Sequence, residues 1–281
     1  MEPRVLAVLG RGVVPLDTPL LRADDLGATR GDGVFETMHV RDGQAWLLDQ
    51  HLSRMENSAA RLDLALPPAG ALADLVTAAL DVWPAEREGG VKLVCTRGPE
   101  EGGDGPSVFA LVFPVGIGAL KQRRQGIRVV SAPAGFSADA RSTAPWLLGG
   151  VKSLSYAMNM AALRWAAGQG VDDVVFLSSD GQVLEGPTST VVWADADTLC
   201  TVPDETGILP GITAAYLLDH ADELGLGVAR RQATLEDLIA ADGVWFCSSV
   251  RGITQVTELD GKPLLDGGLT PGLRDVLGYA I

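Results

Sequence analysis

The chain has 281 residues, 47% of them hydrophobic and 21% charged, which is the composition of a folded globular protein longer than the usual single domain. Thirty-six acids against 22 bases give a formal net charge of −14. That balance argues against nucleic acid or an anionic membrane as partner, since both are polyanions, but leaves room for a small anionic substrate in a locally basic pocket. Residues 1–10 lack the apolar core of a signal peptide, and no apolar run reaches transmembrane length. Three widely spaced cysteines, Cys95, Cys200 and Cys247, form neither a CxxC pair nor a Cys/His cluster. The expectation is a reduced, cytoplasmic setting with no disulfide framework and no zinc.

In chain order, Val5–Leu9 and Val34–Val40 read as strands. The second meets a turn at 41–44 and a returning strand at Ala45–Leu48. Leu52, Met55, Ala59 and Leu62 recur at helical spacing and place a helix over Leu52–Leu64, with another over Leu72–Trp83. Val91–Thr96 and Val108–Phe113 read as strands joined by a loop rich in glycine and acid. Residues 115–126 lack an apolar stripe and end in a basic cluster, so they read as a linker. Beyond it, strands are predicted at Arg128–Ser131, Asp173–Ser178, Thr190–Ala194 and Val244–Ser248. Helices are predicted at Ser155–Gln169, Ile212–Leu224 and Thr234–Ala240. The reading is a mixed α/β (α+β) chain of two domains, 1–114 and 127–281, joined by 115–126.

Eighteen of the bases are arginines, and only Lys92, Lys121, Lys152 and Lys262 are lysines. Lys152 closes the apolar stretch PWLLGGVK. There it either snorkels to water at the start of a helix or sits partly buried, with a lowered pKa and a nucleophilic amine. Glu185 stands between the Ser179–Gln182 turn and the strand at Thr190, before a Gly-Pro turn, and is either a solvated turn acid or a ligand contact. Gly211-Ile212-Thr213 opens a helix, where glycine allows close approach and exposed N–H groups attract anions. Thr213 could equally cap that helix. Ser248-Ser249-Val250-Arg251 follows a strand and could hold an anion or form an ordinary turn. Arg54, in HLSRM, falls early in a helix otherwise patterned for burial.

Together these features resemble the fold type IV pyridoxal-phosphate enzymes, the family of the branched-chain and D-amino-acid aminotransferases and aminodeoxychorismate lyase. The resemblance runs from Gly31-Asp-Gly-Val-Phe-Glu36-Thr37 to Thr254-Gln-Val256. It implies a smaller N-terminal α/β domain, a larger C-terminal domain with a barrel-like sheet, and a homodimer. The implied cofactor is pyridoxal 5′-phosphate, in Schiff-base linkage to Lys152. Glu185 would face the pyridine nitrogen, and Tyr156 would stand beside the phenolic oxygen. The phosphate would be held by Arg54, Gly211, Ile212, Thr213 and the Ser248-Ser249 pair.

Two positions depart from the family pattern. Thr190 stands where asparagine is usual, and no second arginine follows Arg97-Gly98 in the hairpin loop. Substrate contacts are therefore assigned from charge and loop position alone, to Arg97, Val250 and Arg251. The Ser-Ser-Val-Arg-Gly loop and the chain length are most like aminodeoxychorismate lyase, which releases pyruvate to leave 4-aminobenzoate. A branched-chain or D-amino-acid aminotransferase, and a cofactor-binding protein without activity, are the other readings.

Overall fold

The computed structural model describes residues 3–103 and 105–279. The chain divides into two compact units of mixed α/β class. One runs up to Gly116 and adds Val151–Tyr156; the other holds Ile117–Gly150 and the chain from Ala157 onward.

The first unit contains β1 (Val5–Val8), β2 (Gly12–Val14), α1 (Leu26–Arg30), β3 (Gly33–Arg41), β4 (Gln44–Ala45), α2 (Leu48–Arg61), α3 (Ala69–Leu80), β5 (Gly89–Thr96) and β6 (Val108–Pro114). The strands form an antiparallel sheet in the order β2-β1-β6-β5-β3-β4. Val34, Met38 and Val40 alternate onto one face of β3 and meet Leu52, Met55 and Ala59 of α2 and Leu72 and Val76 of α3 in a closed core. The strand predicted at Ala45–Leu48 is shorter, because Leu47 takes a left-handed conformation and the helix begins at Leu48.

The second unit starts with α4 (Ile117–Gln125), where the sequence reading placed a linker. The segment has good helix formers and no proline, but no apolar period to betray it. The buried residue of α4 is Arg123 rather than a hydrophobe. There follow β7 (Ile127–Pro133), α5 (Ala140–Thr143), α6 (Ala157–Gly168), β8 (Asp173–Leu177), β9 (Thr190–Asp195), β10 (Thr198–Thr201), α7 (Ile212–Asp219), β11 (Gly227–Arg230), α8 (Leu235–Ala240), β12 (Gly243–Ser248), β13 (Gly252–Leu259), β14 (Lys262–Pro263) and α9 (Thr270–Leu277). The barrel-like sheet expected of the larger unit is eight-stranded, in the order β11-β10-β9-β12-β13-β7-β8, with β14 on β13. The central strand β9 and its neighbour β12 are almost wholly buried, with Val191, Trp193, Val244 and Phe246 in the core.

Residues 151–156 differ most from their predicted state. Instead of leading a helix they run extended along β3. The Phe35 amide donates to the Lys152 carbonyl at 3.1 Å, and the Leu154 amide donates to the Gly33 carbonyl at 2.9 Å. The helix predicted from Ser155 accordingly starts at Ala157. No helix among the described residues is long and apolar enough to cross a membrane.

Candidate active site

In the first unit the pairing with β3 fixes the backbone of Lys152 from one side, and α2 fixes it from the other. The Lys152 amide donates to Oγ of Ser58 at 3.1 Å. The Lys152 ammonium lies 4.6 Å from the ring centre of Phe35 and 5.5 Å from that of Tyr156. The two rings meet edge to face at 5.1 Å. An amine walled by aromatic surface is shielded from water and held near a fixed position, as a nucleophilic or proton-transferring amine requires.

Arg54 and Ser58 are four residues apart and so share one face of α2. Arg54 does not point into an empty cleft. Its Nε donates to Oε1 and its Nη2 to Oε2 of Glu36, both at 2.7 Å, a bidentate fork on a carboxylate with no solvent exposure. Nδ1 of the buried His51 bonds the same carboxylate at 2.7 Å. Burial acts to raise the Glu36 pKa, but Arg54 and then His51 outweigh it and hold it at about 2. Burial lowers the His51 pKa against the pull of Glu36, with Arg54 and Lys152 adding to the lowering. Glu36 is thus ionised and can only accept, which assigns the His51 proton to Nδ1.

Glu36 and His51 were given no role by sequence reasoning. The signal was present: period two puts Glu36 in line with Val34, Met38 and Val40, on the core face, where a charge must be paired.

The second unit collects the other candidates. Glu185 follows residues that pair back onto β8, its carbonyl accepting from the Phe176 amide at 2.9 Å. Its Oε2 accepts from the Leu209 amide at 3.0 Å and its Oε1 from Arg141 Nη1 at 3.1 Å. Arg141 lies 44 residues away in sequence, and no sequence signal linked it to Glu185.

At the start of α7, Gly211 is the cap residue and no side chain caps the helix. Thr213 therefore does not act as a cap. Its Oγ1 is buried and has no hydrogen-bond partner in the protein. Gly211 is required by a close approach, since a Cβ there would fall 2.0 Å from Oγ1 of Thr190. An uncapped helix start carries unsatisfied N–H groups beside the Ile212 and Thr213 amides and suits an anion.

Ser248 ends β12 and Ser249 opens the turn into β13. The turn is secured through its carbonyls: Ser249 accepts from the Tyr279 hydroxyl at 2.5 Å, Val250 from Arg123 Nη2 at 2.6 Å, and Arg251 from Arg123 Nε at 2.9 Å.

The two arginines assigned to substrate carboxylates have internal partners. Arg97 donates from Nε to Asp32 and from Nη1 and Nη2 to the carbonyls of Asp63 and Leu62, at the C-terminal end of α2. Arg251 pairs with the fully buried Asp173 at 2.7 Å. Charge and loop position could not reveal these commitments, because each acid lies far away in sequence. The thiols of Cys95 and Cys247 are pushed up to about 12 by burial and are inert at neutral pH.

Residues 33–259 match the family model described as "Amino-transferase class IV". The chain is 43% identical over 255 residues to the bifunctional aminodeoxychorismate lyase / D-amino acid transaminase of Mycobacterium tuberculosis (strain ATCC 25618 / H37Rv), covering 88% of each chain. It is 30% identical over 260 residues to the D-alanine aminotransferase of Bacillus licheniformis, covering 90% of this chain and 88% of the relative. Among solved structures, the PLP-bound form of a hypothetical aminotransferase from Mycobacterium tuberculosis superposes with a TM-score of 0.94 at 39% identity, covering 98% of this chain and 97% of the other.

Proposed function

The chain belongs to the class IV aminotransferases, enzymes of pyridoxal 5′-phosphate, and we propose that within that family it is a 4-amino-4-deoxychorismate lyase. The observation that carries this reading is the likeness, over 88% of both chains, to the bifunctional lyase and transaminase of Mycobacterium tuberculosis.

The residues suit the cofactor's chemistry. A phosphate needs a dense donor set, and the start of α7 offers one, with the unpartnered, buried Thr213 hydroxyl as its most telling member. Ser248 and Ser249 add hydroxyls. Arg54, which the resemblance assigns to phosphate, lies in the first unit, where its Nε and Nη2 serve Glu36. A protonated ring nitrogen needs an anionic acceptor, and Glu185 is a carboxylate held by two donors. The aldehyde needs an amine, supplied by Lys152 between Phe35 and Tyr156. These local donors act against a net charge of −14.

When bound, the cofactor would supply an electron sink. Lys152, as a free amine, would take the proton from the substrate ring carbon that bears the amino group and return one to the departing pyruvate. Glu185 would hold the proton at the cofactor's ring nitrogen, and Tyr156 would stand beside its phenolic oxygen. Loss of pyruvate makes the product ring aromatic, which drives the elimination.

A second reading, transfer of the amino group from D-amino acids, is favoured by the other half of the same relative's name and by the Bacillus licheniformis enzyme. The test is incubation of holoenzyme with 4-amino-4-deoxychorismate and no keto acid. Pyruvate and 4-aminobenzoate in equal amounts support the lyase. Turnover only when an amino donor and a keto acid are both present refutes it and leaves the transaminase. Borohydride should fix the cofactor to Lys152, and Lys152→Ala should abolish both the fixation and the turnover.

A further inference from the structure

Arg141 has a shaped slot in the second unit. A Cβ on Gly207 would fall 2.5 Å from the Arg141 Cβ, and one on Gly149 would fall 2.7 Å from it. The guanidinium lies over the Phe136 ring, 4.6 Å from its centre. Two chain segments therefore lack side chains where Arg141 passes, and an aromatic face backs it. From this slot Nη1 reaches both the Gly207 carbonyl at 2.6 Å and Oε1 of Glu185 at 3.1 Å. Both side chains of the ion pair are only 17% exposed. The other carboxylate oxygen takes the Leu209 amide, two residues past Gly207. One short stretch, 207–209, thus braces both members of the pair.

The placement has a consequence for proton position. A carboxylate facing a ring nitrogen can share its proton in two ways, as pyridinium with carboxylate or as pyridine with carboxylic acid. Burial favours the neutral pair and a fixed positive charge beside the carboxylate favours the charged one. Arginine suits this task because it does not itself give up a proton in the working range.

We propose that Arg141 is a positioning residue for Glu185: it fixes the carboxylate and keeps it ionised, so that the proton shared with a bound cofactor's ring nitrogen stays on the ring. This rests on the reading of Glu185 as the partner of that nitrogen. In this proposal Arg141 acts through Glu185, to which its Nη1 donates.

The test is the ¹⁵N chemical shift of ring-labelled pyridoxal 5′-phosphate reconstituted into the full chain at pH 7, where pyridinium and pyridine nitrogens are far apart. The parent should show the pyridinium position. Arg141→Gln, which keeps a donor but drops the charge, should move the signal at least a third of the way toward pyridine, and Arg141→Lys should restore it. Glu185→Gln sets the neutral limit. A pyridinium signal unchanged in Arg141→Gln overturns the proposal, as does a pyridine signal in Arg141→Lys. The lysine variant decides the matter alone if the glutamine variant does not fold. A parent that binds no cofactor, or shows a neutral ring nitrogen, instead refutes the underlying reading of Glu185.

Discussion

Replacing Glu36 by glutamine removes the buried carboxylate that pairs with the Arg54 guanidinium and His51. The size of the effect follows from the carboxyl's titration. Its pKa falls from 4.5 to about 2 on folding, although burial alone would raise it. That difference corresponds to about 3 kcal/mol of folding stability at neutral pH. Because the folded value is the lower one, the contribution is complete above the unfolded pKa and is lost as pH falls through the folded one, roughly between pH 4.5 and 2. Glutamine cannot neutralise Arg54, and breaking a buried ion pair by removing one member typically costs about 3–5 kcal/mol. Glu36→Gln should therefore lose about 3 kcal/mol or more in urea unfolding of the apoprotein at pH 7, followed by circular dichroism. The gap between parent and variant should shrink to about half or less by pH 3, because there the carboxyl of the unfolded parent is protonated and has to give up its proton on folding. A variant within 1 kcal/mol of the parent at pH 7, to use roughly the median worth of an exposed pair as the limit, would refute the reasoning. A gap that stays constant between pH 7 and pH 3 would refute it equally.

Thr213→Val should weaken pyridoxal 5′-phosphate binding by roughly tenfold, the loss of about one charge-assisted hydrogen bond. The apoprotein should be no less stable, since an unsatisfied buried hydroxyl is removed; fluorescence titration and thermal melting check the two halves. Arg97→Met should lower the melting temperature by releasing the end of α2, at a cost of about 1–3 kcal/mol. It should leave the KM for 4-amino-4-deoxychorismate unchanged, because the guanidinium already serves Asp32, Leu62 and Asp63; a large rise in KM would return Arg97 to the substrate. The chain should sediment as a homodimer. Ala166 is the one buried residue of α6, whose Met158 and Trp165 are exposed, with Trp146 and Leu147 exposed shortly before it. Apolar surface of this kind calls for a partner, so Trp165→Asp should shift sedimentation toward the single chain.

The candidates for the proposed chemistry could be picked out by residue type and order. With four lysines in the chain, the candidates for an amine nucleophile were few, and Lys152 was separable from the rest by its apolar neighbourhood. Glu185 and the Gly211-Ile212-Thr213 helix start lie next to turns and strand ends that punctuate the sequence locally. The helices α2, α3 and α7 and the strands β3, β5, β6, β9 and β12 announced themselves by period, because each buries one face or both. The helix α4 did not, since it buries an arginine.

Tertiary structure alone decided what each charge faces. Residues 151–156 join the first unit because their backbone groups pair with Gly33 and Phe35, more than a hundred residues earlier. Arg97, Arg251 and Arg54 resemble one another in sequence as basic residues near loops or helix ends. They are told apart by Asp32, Asp173 and Glu36, each brought up from a distant segment. Hydrophobic period is a local property and survives in the sequence. The partner of a buried charge is set by which strands lie side by side, and that is fixed only when the chain folds.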